Sequence, residues 1–141
     1  MFTTEPKKFA KKGDILLSVR APVSDYNVAI DDCCIGRGLA AISSKKNNNS
    51  FLLYAIFNLQ KKFDIFNGQG TVFGAINQKD LKNIEIFIPE QKIIDDFEKI
   101  VSPMDKFIFE KHLESLNLAE MRDLLLPRLL NGEIDASKVE V

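Results

Sequence analysis

The sequence predicts an α+β fold in which a small mixed-sheet module is followed by a long C-terminal α-helical coiled-coil arm. Residues 1–89 contain short apolar runs separated by turn residues, without the regular strand–helix alternation of a parallel α/β protein. From Glu90 the chain has no glycine until Gly132 and is rich in Glu, Lys and Leu, which favours helix. We therefore expect a module over 1–89, an arm over 90–131 and a tail over 132–141.

Short apolar runs predict the strands of the module. "GDILLSVR" (13–20) opens on a turn pair and continues as a short buried strand. Further strands are predicted at Val28–Ile30 and Leu39–Ile42, on either side of a segment that contains two glycines. A last strand is predicted at 84–88, where isoleucines alternate with Glu85 and Phe87.

One helix is predicted inside the module. The polar stretch "SSKKNNNS" (43–50) precedes the apolar block "FLLYAIFNL" (51–59). We expect Asn49 or Ser50 to cap this helix at its N-terminus. Because the block is apolar nearly all round, we expect the helix to be buried on most faces.

The arm carries apolar residues in steps of three and four, which is the heptad pattern of a coiled coil. The pattern starts at Ile94, is interrupted at Lys111 and Ser115, and resumes afterwards. Ser102-Pro103 predicts two helices end to end, the second of about 29 residues and about 43 Å. We expect Pro127 to kink the second helix and "NGE" (131–133) to stop it.

So long a helix has little to bury against in a chain of 141 residues. We therefore expect its apolar stripe to pair with another helix, from a second copy or from another protein. The predicted interface residues are Phe97, Val101, Met104, Ile108, Leu118, Leu125 and Leu129.

Charge divides the chain in the same place. The net charge is −1, but residues 1–88 carry 12 basic and 8 acidic residues, whereas residues 89–141 carry 7 and 12. A basic front and an acidic rear suggest two roles.

No apolar run reaches the length of a membrane span or a signal peptide. The two cysteines are neighbours, which disfavours a disulfide between them, and a reducing cytoplasm is the simplest expectation.

Catalytic and cofactor sites are not predicted. The glycines of "GQGTVFGAIN" (68–77) are spaced G-x-G-x-x-x-G, one residue longer than the dinucleotide fingerprint, and they follow a predicted helix. His112 is the only histidine, and the paired acids Asp31-Asp32 and Asp95-Asp96 are adjacent residues that do not face each other. We expect neither a metal nor a cofactor.

Reading of nucleic acid requires hydrogen-bonding side chains on loops that a rigid scaffold supports. Arginine suits guanine, and asparagine or glutamine suits adenine. An alternative for the arginines is an ion pair with Asp25 or Asp31. The candidates are Arg20 after a strand, Asn27 in the next loop, Arg37 between two glycines, Lys45, Lys46, Gln69 and Thr71.

Five segments in this order resemble the target-recognition domain and following helix of type I restriction–modification specificity subunits. They are "GDILLSVRAPV", "CIGRGLAAI", "GTVFGAIN", "DLKNIEIFIP" and "MRDLLLPRLLNGEI". The resemblance implies a non-catalytic subunit that binds double-stranded DNA. In that family two target-recognition domains each read half of a split sequence, and two conserved helices pair antiparallel as a spacer. Methylation and cleavage belong to separate modification and restriction subunits.

The resemblance also implies a place for the two regions of this chain. The glycine segment would lie near the loops that face DNA, and the acidic arm would be the spacer and docking helix. Only about 12 residues precede Gly13 and only one arm follows, so we expect a partial subunit that forms a homodimer or pairs with a second arm. An assembly fragment without DNA binding of its own is the alternative.

Overall fold

The structure, a computed structural model, describes residues 7–20, 22–59, 62–63, 75–135 and 137. The chain divides into two compact units, Met1–Lys99 and Ile100–Val141. The first unit contains all the described strands and two short helices. The last helix begins in the first unit and makes up most of the second.

Short antiparallel strands form two small sheets in the first unit. A two-stranded sheet joins β1 to β4, and a three-stranded sheet has the order β3-β2-β5. This architecture, with a long C-terminal helix, confirms the α+β prediction. The strands are β1 (Phe9–Ala10), β2 (Ile15–Ser18), β3 (Tyr26–Val28), β4 (Cys33–Cys34) and β5 (Leu39–Ile42).

The central strand β2 has one buried face and one half-buried face. Ile15 and Leu17 are buried, whereas Leu16 and Ser18 are only partly covered, as expected because successive side chains of a strand point to opposite sides. Gly13 enters the strand at φ +86°, and its N–H donates to the Ala29 carbonyl (2.9 Å). The predicted turn pair is therefore confirmed at the position where only glycine is unstrained.

A small apolar core holds the sheet and the helices of the first unit together. Its fully buried members come from β2, the following loop, the first helix and the segments after it. Complete burial of each such aliphatic side chain stabilises the fold by about 1.5–3 kcal/mol. They are Ile15, Leu17, Val23, Ile56, Phe63 and Ile76.

The first helix, α1 (Asn49–Asn58), confirms the predicted apolar helix. Its N-cap is Asn48, whose side chain makes no capping bond, so the predicted cap at Asn49 or Ser50 is wrong by one or two residues. Glu98 serves this end instead, because the Phe51 N–H donates to its carboxylate at 2.8 Å. The helix is less covered than predicted, since Phe57 is 47% exposed.

Residues 84–88 do not form the predicted strand. The alternation itself is present for three residues, because Ile84 and Ile86 are half-buried and Glu85 is exposed. No described strand lies alongside to accept and donate ladder hydrogen bonds, and a strand needs such a partner. Phe87 and Ile88 point to solvent.

A short helix, α2 (Gln78–Lys82), follows the glycine segment and was not predicted. Asn77 caps it, since its side-chain oxygen accepts the Asp80 N–H (2.8 Å) and its amide donates to the Asp80 carboxylate (2.7 Å). The first bond satisfies one of the backbone N–H groups that a helix start leaves unpaired, and the second joins the two side chains.

The last helix, α3 (Gln91–Leu130), is continuous for 40 residues, or about 60 Å. The predicted break at Ser102-Pro103 is therefore wrong. Proline has a helical φ and removes only one hydrogen bond from the ladder. Lys99, the residue whose carbonyl loses that bond, is exposed, so water can replace it. The predicted stop is confirmed, with Gly132 at φ +72° and its N–H donating to the Leu129 carbonyl (3.2 Å).

The first turns of α3 belong to the first unit. Ile94 is buried, and the Phe97 ring meets Phe51 and Tyr54 edge to face, with centroids 6.2 and 5.9 Å apart. Edge-to-face rings attract each other beyond their apolar burial. The start of the helix is therefore packed on α1.

The part of α3 in the second unit exposes many apolar side chains. They include residues on the predicted stripe and residues outside it. Described apolar residues that are at least 40% exposed are Ile100, Met104, Phe107, Ile108, Leu116, Leu118, Met121, Leu124, Leu125, Leu126, Leu129 and Leu130.

Candidate nucleic-acid interface

Arg20 and Arg37 flank the same end of the paired strands β2 and β5, which is called here the edge of the three-stranded sheet that carries the arginines. Arg20 follows β2 and Arg37 precedes β5, and these strands are antiparallel neighbours. The end of β2 and the start of β5 are joined by the Val19 N–H, which donates to the Gly38 carbonyl (2.9 Å). Two arginines that are 17 positions apart in the sequence are thus placed side by side. Both are exposed.

The backbone and stem of Arg20 are held on three sides. Its backbone pairs with Ala75 in an isolated antiparallel bridge, and its carbonyl accepts from the Ser18 hydroxyl at 2.8 Å. Its Cδ lies 3.7 Å from the place that a β-carbon on Gly38 would occupy. The aliphatic stem therefore rests on a glycine while the residue stays open to solvent, as in a pre-organised arginine.

Neither arginine makes an ion pair with any residue that the structure describes. The alternative that Arg20 or Arg37 is neutralised by Asp25 or Asp31 therefore has no support among the described residues. An unpaired guanidinium presents its donors to solvent or to a ligand.

Asn27 lies in strand β3, and its predicted position in a loop is wrong. It is directly opposite Leu16 and is exposed on the half-buried face of the sheet. Its side-chain oxygen accepts the N–H of Val28 at 2.8 Å. The Asn27 amide group is thus presented from a strand, level with Leu16, which lies four residues before Arg20.

Lys45 and Lys46 lie at the opposite end of β5 from Arg37. The four residues of β5 separate the two ends, about 13 Å at about 3.3 Å per residue. The Lys46 ammonium donates to the Gln91 side chain at 2.7 Å, at the start of α3. The structure therefore does not bring these lysines together with the arginines.

Gln69 and Thr71 lie outside the described residues. The described end of their segment packs into the module: Ala75 pairs with Arg20, Ile76 is buried and Asn77 caps α2. This end of "GQGTVFGAIN" therefore supports the same sheet edge as the arginines.

Three residues that were not predicted lie close to that edge. Lys8, Gln78 and Lys82 line a cavity of about 720 Å³ whose walls are mainly core residues, and Arg37 lines it too. Lys8 precedes β1, and the other two lie on α2. A surface lysine has no local sequence signal for function, and the grouping depends on long-range pairing that spacing does not reveal.

Other kinds of site are not indicated. No three His, Cys, Asp or Glu side chains among the described residues are grouped so that they could hold a metal ion. Cys33 and Cys34 are free and exposed. On α3 the pKa of Lys99 is raised, first because its ammonium donates a hydrogen bond to Asp96; both side chains of this pair are exposed.

Within the described residues, no helix has both the length and the apolar character needed to span a membrane.

The predicted stripe of the arm has two parts. Phe97 is half-buried on α1, as described above. Val101 is half-buried, and the remaining five residues are 41–62% exposed. They are Met104, Ile108, Leu118, Leu125 and Leu129.

The described part of the chain has small antiparallel sheets with two arginines at one edge, and it has a long helix with an apolar stripe. This architecture fits the one that the sequence segments suggested. The family model for the type I restriction modification DNA specificity domain matches residues 3–118. The chain belongs to this family.

Particular members resemble the chain over most of its length. It is 39% identical over 139 residues to a Methanocaldococcus jannaschii protein, provisionally named the type I restriction enzyme MjaX specificity subunit; the match covers 95% of this chain and 32% of that protein. It is 28% identical over 128 residues to the MjaIX specificity subunit of the same organism, covering 89% and 28%. The chain thus spans less than a third of the length of these relatives.

Solved structures show the same fold. The HsdS subunit from Thermoanaerobacter tengcongensis superposes with a TM-score of 0.58 and 34% identity, covering 84% of this chain and 27% of that chain. A structure described as the basis of complex assembly and conformational transition of the type I R-M system gives a TM-score of 0.53 and 30% identity, covering 90% and 33%.

Proposed function

We propose that this chain is a non-catalytic DNA sequence-recognition module of a type I restriction–modification specificity subunit, acting in the cytoplasm. The observation that carries the proposal is the edge formed by Arg20 and Arg37 in a member of a DNA specificity family. These arginines are exposed, and neither is paired with a carboxylate among the described residues. Duplex DNA offers both phosphates and guanine edges to such side chains.

Within this proposal the residues of the module differ in role. Arg20, with its stem fixed against Gly38, is suited to contact a base edge, because a bidentate contact requires a defined guanidinium orientation. Arg37 is suited to a base or a phosphate. Asn27, on strand β3, would extend the proposed DNA-contacting surface along the sheet. Gln69 and Thr71 remain proposed contacts on the basis of the sequence.

The arm has a second role in the proposal. We divide the chain into a partial recognition domain (1–89), a helical spacer and dimerisation arm (90–131) and a tail (132–141). The exposed apolar stripe of α3 supports pairing with another helix. A homodimer would restore two arms through an isologous interface, the commonest arrangement, and the arm of another specificity subunit would serve equally.

The modification and restriction subunits are the other proposed partners. The family resemblance assigns methylation and cleavage to them. The similarity to a structure from a study of type I R-M complex assembly supports this context. The exposed leucines of the arm also favour a second candidate function, in which the chain is an assembly fragment that does not bind DNA by itself.

Fluorescence anisotropy with a random-sequence duplex at two salt concentrations separates the candidates. A recognition module should bind at low salt and weaken steeply as salt rises, because each phosphate contact releases counterions. For two to four contacts, the slope of log K against log salt should be about −2 to −4. The absence of binding at both salt concentrations would contradict DNA recognition and favour the assembly fragment.

A further inference from the structure

Three basic residues line the apolar cavity of the first unit, and the part of its lining that they form is called here the rim. Lys8, Arg37 and Lys82 line it, together with Gln78. They come from three places in the sequence: the approach to β1, the loop before β5, and α2. All four side chains are exposed. A fold that brings separate cations to one rim builds a local positive potential.

Backbone hydrogen bonds explain why Lys8 is at this rim. Its carbonyl accepts the Ile35 N–H at 3.0 Å, and β1 pairs with β4 through Phe9 and Cys34. Its ammonium approaches the Leu39 carbonyl at 3.5 Å. The N-terminal segment is therefore fixed beside the loop that carries Arg37.

Lys82 is placed by the segment on the other side. Ala75 pairs with Arg20, the Ile76 N–H donates to the Val19 carbonyl at 3.0 Å, and Asn77 caps α2. The helix thus starts three residues after Ala75, the residue that pairs with Arg20. Lys82 lies on the last turn of that helix.

The rim has an excess of positive charge. The described residues that line the cavity include two lysines and one arginine, but no aspartate or glutamate. None of these three cations forms an ion pair with a described residue. An anionic ligand at the rim would be attracted by all three of these positive charges.

Lys45 and Lys46 provide a contrast within the same unit. They lie at the other end of β5, and the Lys46 ammonium is already bonded to Gln91 at 2.7 Å. They carry the same charge as the rim lysines and are likewise exposed. They differ from the rim lysines in their position in the fold and, for Lys46, in the bond to Gln91.

We propose that Lys8 and Lys82, with Arg37, bind backbone phosphates of duplex DNA at this rim, and that Lys45 and Lys46 do not. The inference rests on the proposed function and adds two contacts to it. The rim lysines fix the position of the duplex and are not selective for sequence, because phosphate contacts carry no base information.

The test compares two double variants of the full chain that lose the same charge. Lys8→Ala/Lys82→Ala should weaken binding to a random-sequence duplex about ten-fold or more at low salt, and should reduce the steepness of the salt dependence by about one per lysine. Lys45→Ala/Lys46→Ala should keep the slope of the unmodified chain. Thermal unfolding of both variants checks that they are folded.

Each outcome decides the proposal. Equal losses in the two double variants would mean that only total charge matters, and would overturn it. If the Lys8→Ala/Lys82→Ala protein melts early, Lys8→Gln/Lys82→Gln takes its place, because glutamine keeps part of the aliphatic stem and removes only the charge: a shallower salt slope supports the rim, and an unchanged slope overturns it. Absence of duplex binding by the unmodified chain would overturn the proposed function and this inference together, whereas binding insensitive to Lys8 and Lys82 would overturn the inference alone.

Discussion

The module and the arm use their apolar residues in opposite ways. In the first unit, Leu17 and Ile15 of β2 are at most 1% exposed, and α1 and the segments after it cover them. In the second unit, Leu118 and Leu124 are 58% and 60% exposed. A side chain of the same type thus contributes to a core in one unit and meets solvent in the other.

This contrast indicates which interactions stabilise each of the two regions. A small sheet with a covered face can fold by itself, whereas an isolated helix owes little of its stability to propensity. Exposed leucines and isoleucines recur along the part of the helix in the second unit, and large exposed apolar surfaces often mark interaction sites. This is the basis for the proposal that the arm pairs with another helix.

The largest expected effect is on self-association through the arm. Leu118→Lys with Leu125→Lys should abolish the proposed dimer, because a symmetric interface would lose four buried leucines, each contributing about 1.5–3 kcal/mol. Light scattering after size exclusion should show the unmodified chain at about twice its 15.9 kDa mass and the variant at the chain mass. The module should remain folded by circular dichroism.

A control variant on the other side of the helix sharpens this result. Leu116 and Leu130 are also exposed but lie about 160° and 120° around the helix from Leu118, at about 100° per residue. Leu116→Lys with Leu130→Lys should leave the dimer in place. A dimer that survives the first change, or an unmodified chain that is monomeric at high micromolar concentration, would refute the assigned stripe.

The next largest effect is on the core of the module. Leu17→Ala should lower the free energy of unfolding by about 2–5 kcal/mol, since Leu17 is 0% exposed and its loss leaves a cavity. Leu16→Ala, one residue earlier on the half-buried face, should cost about 1 kcal/mol. Urea unfolding at a fixed protein concentration measures both. Equal losses would mean that the two faces of β2 are equally buried, contrary to the contrast drawn above.

The elements that the sequence predicted well are those that carry their own pattern. The apolar runs at β2 and β5 and the block at α1 are bounded by turn or polar residues, so local signals suffice. The strands β1 and β4 are two residues long and too short for any periodicity. The stretch 84–88 has the right alternation, but strand formation depends on a neighbour that alternation does not supply.

Pro103 shows a different limit. Its position after Ser102 is the usual signal for a helix start, yet the surrounding residues favour helix on both sides and contain no glycine. An interior proline costs a helix about 3 kcal/mol, and the helix nevertheless continues through Pro103. The helix-start signal at Ser102-Pro103 was outweighed by the helix-favouring residues on either side of it.

The candidate site could be predicted residue by residue but not as a group. Arginine at a strand end and arginine between glycines mark Arg20 and Arg37 as candidates. Their proximity depends on the antiparallel register of β2 and β5, which is set by long-range packing. Lys8 and Lys82 have no signal of their own, and the bond between Lys46 and Gln91 joins residues 45 positions apart, which spacing does not reveal.

The smallest expected effect compares an arginine of the module with one of the arm. Arg37→Ala should weaken duplex binding by about 1–3 kcal/mol without changing the melting temperature, since Arg37 is exposed and has no carboxylate partner among the described residues. Arg122→Ala is the control, because Arg122 lies on α3 and pairs with Asp123 at 2.7 Å. Its removal should leave duplex affinity unchanged, since the arm is proposed to contact helices and not phosphates. A lowered melting temperature for Arg37→Ala would assign Arg37 a structural role. Equal loss of duplex affinity in both variants would contradict the proposal that the module contacts DNA and the arm contacts helices.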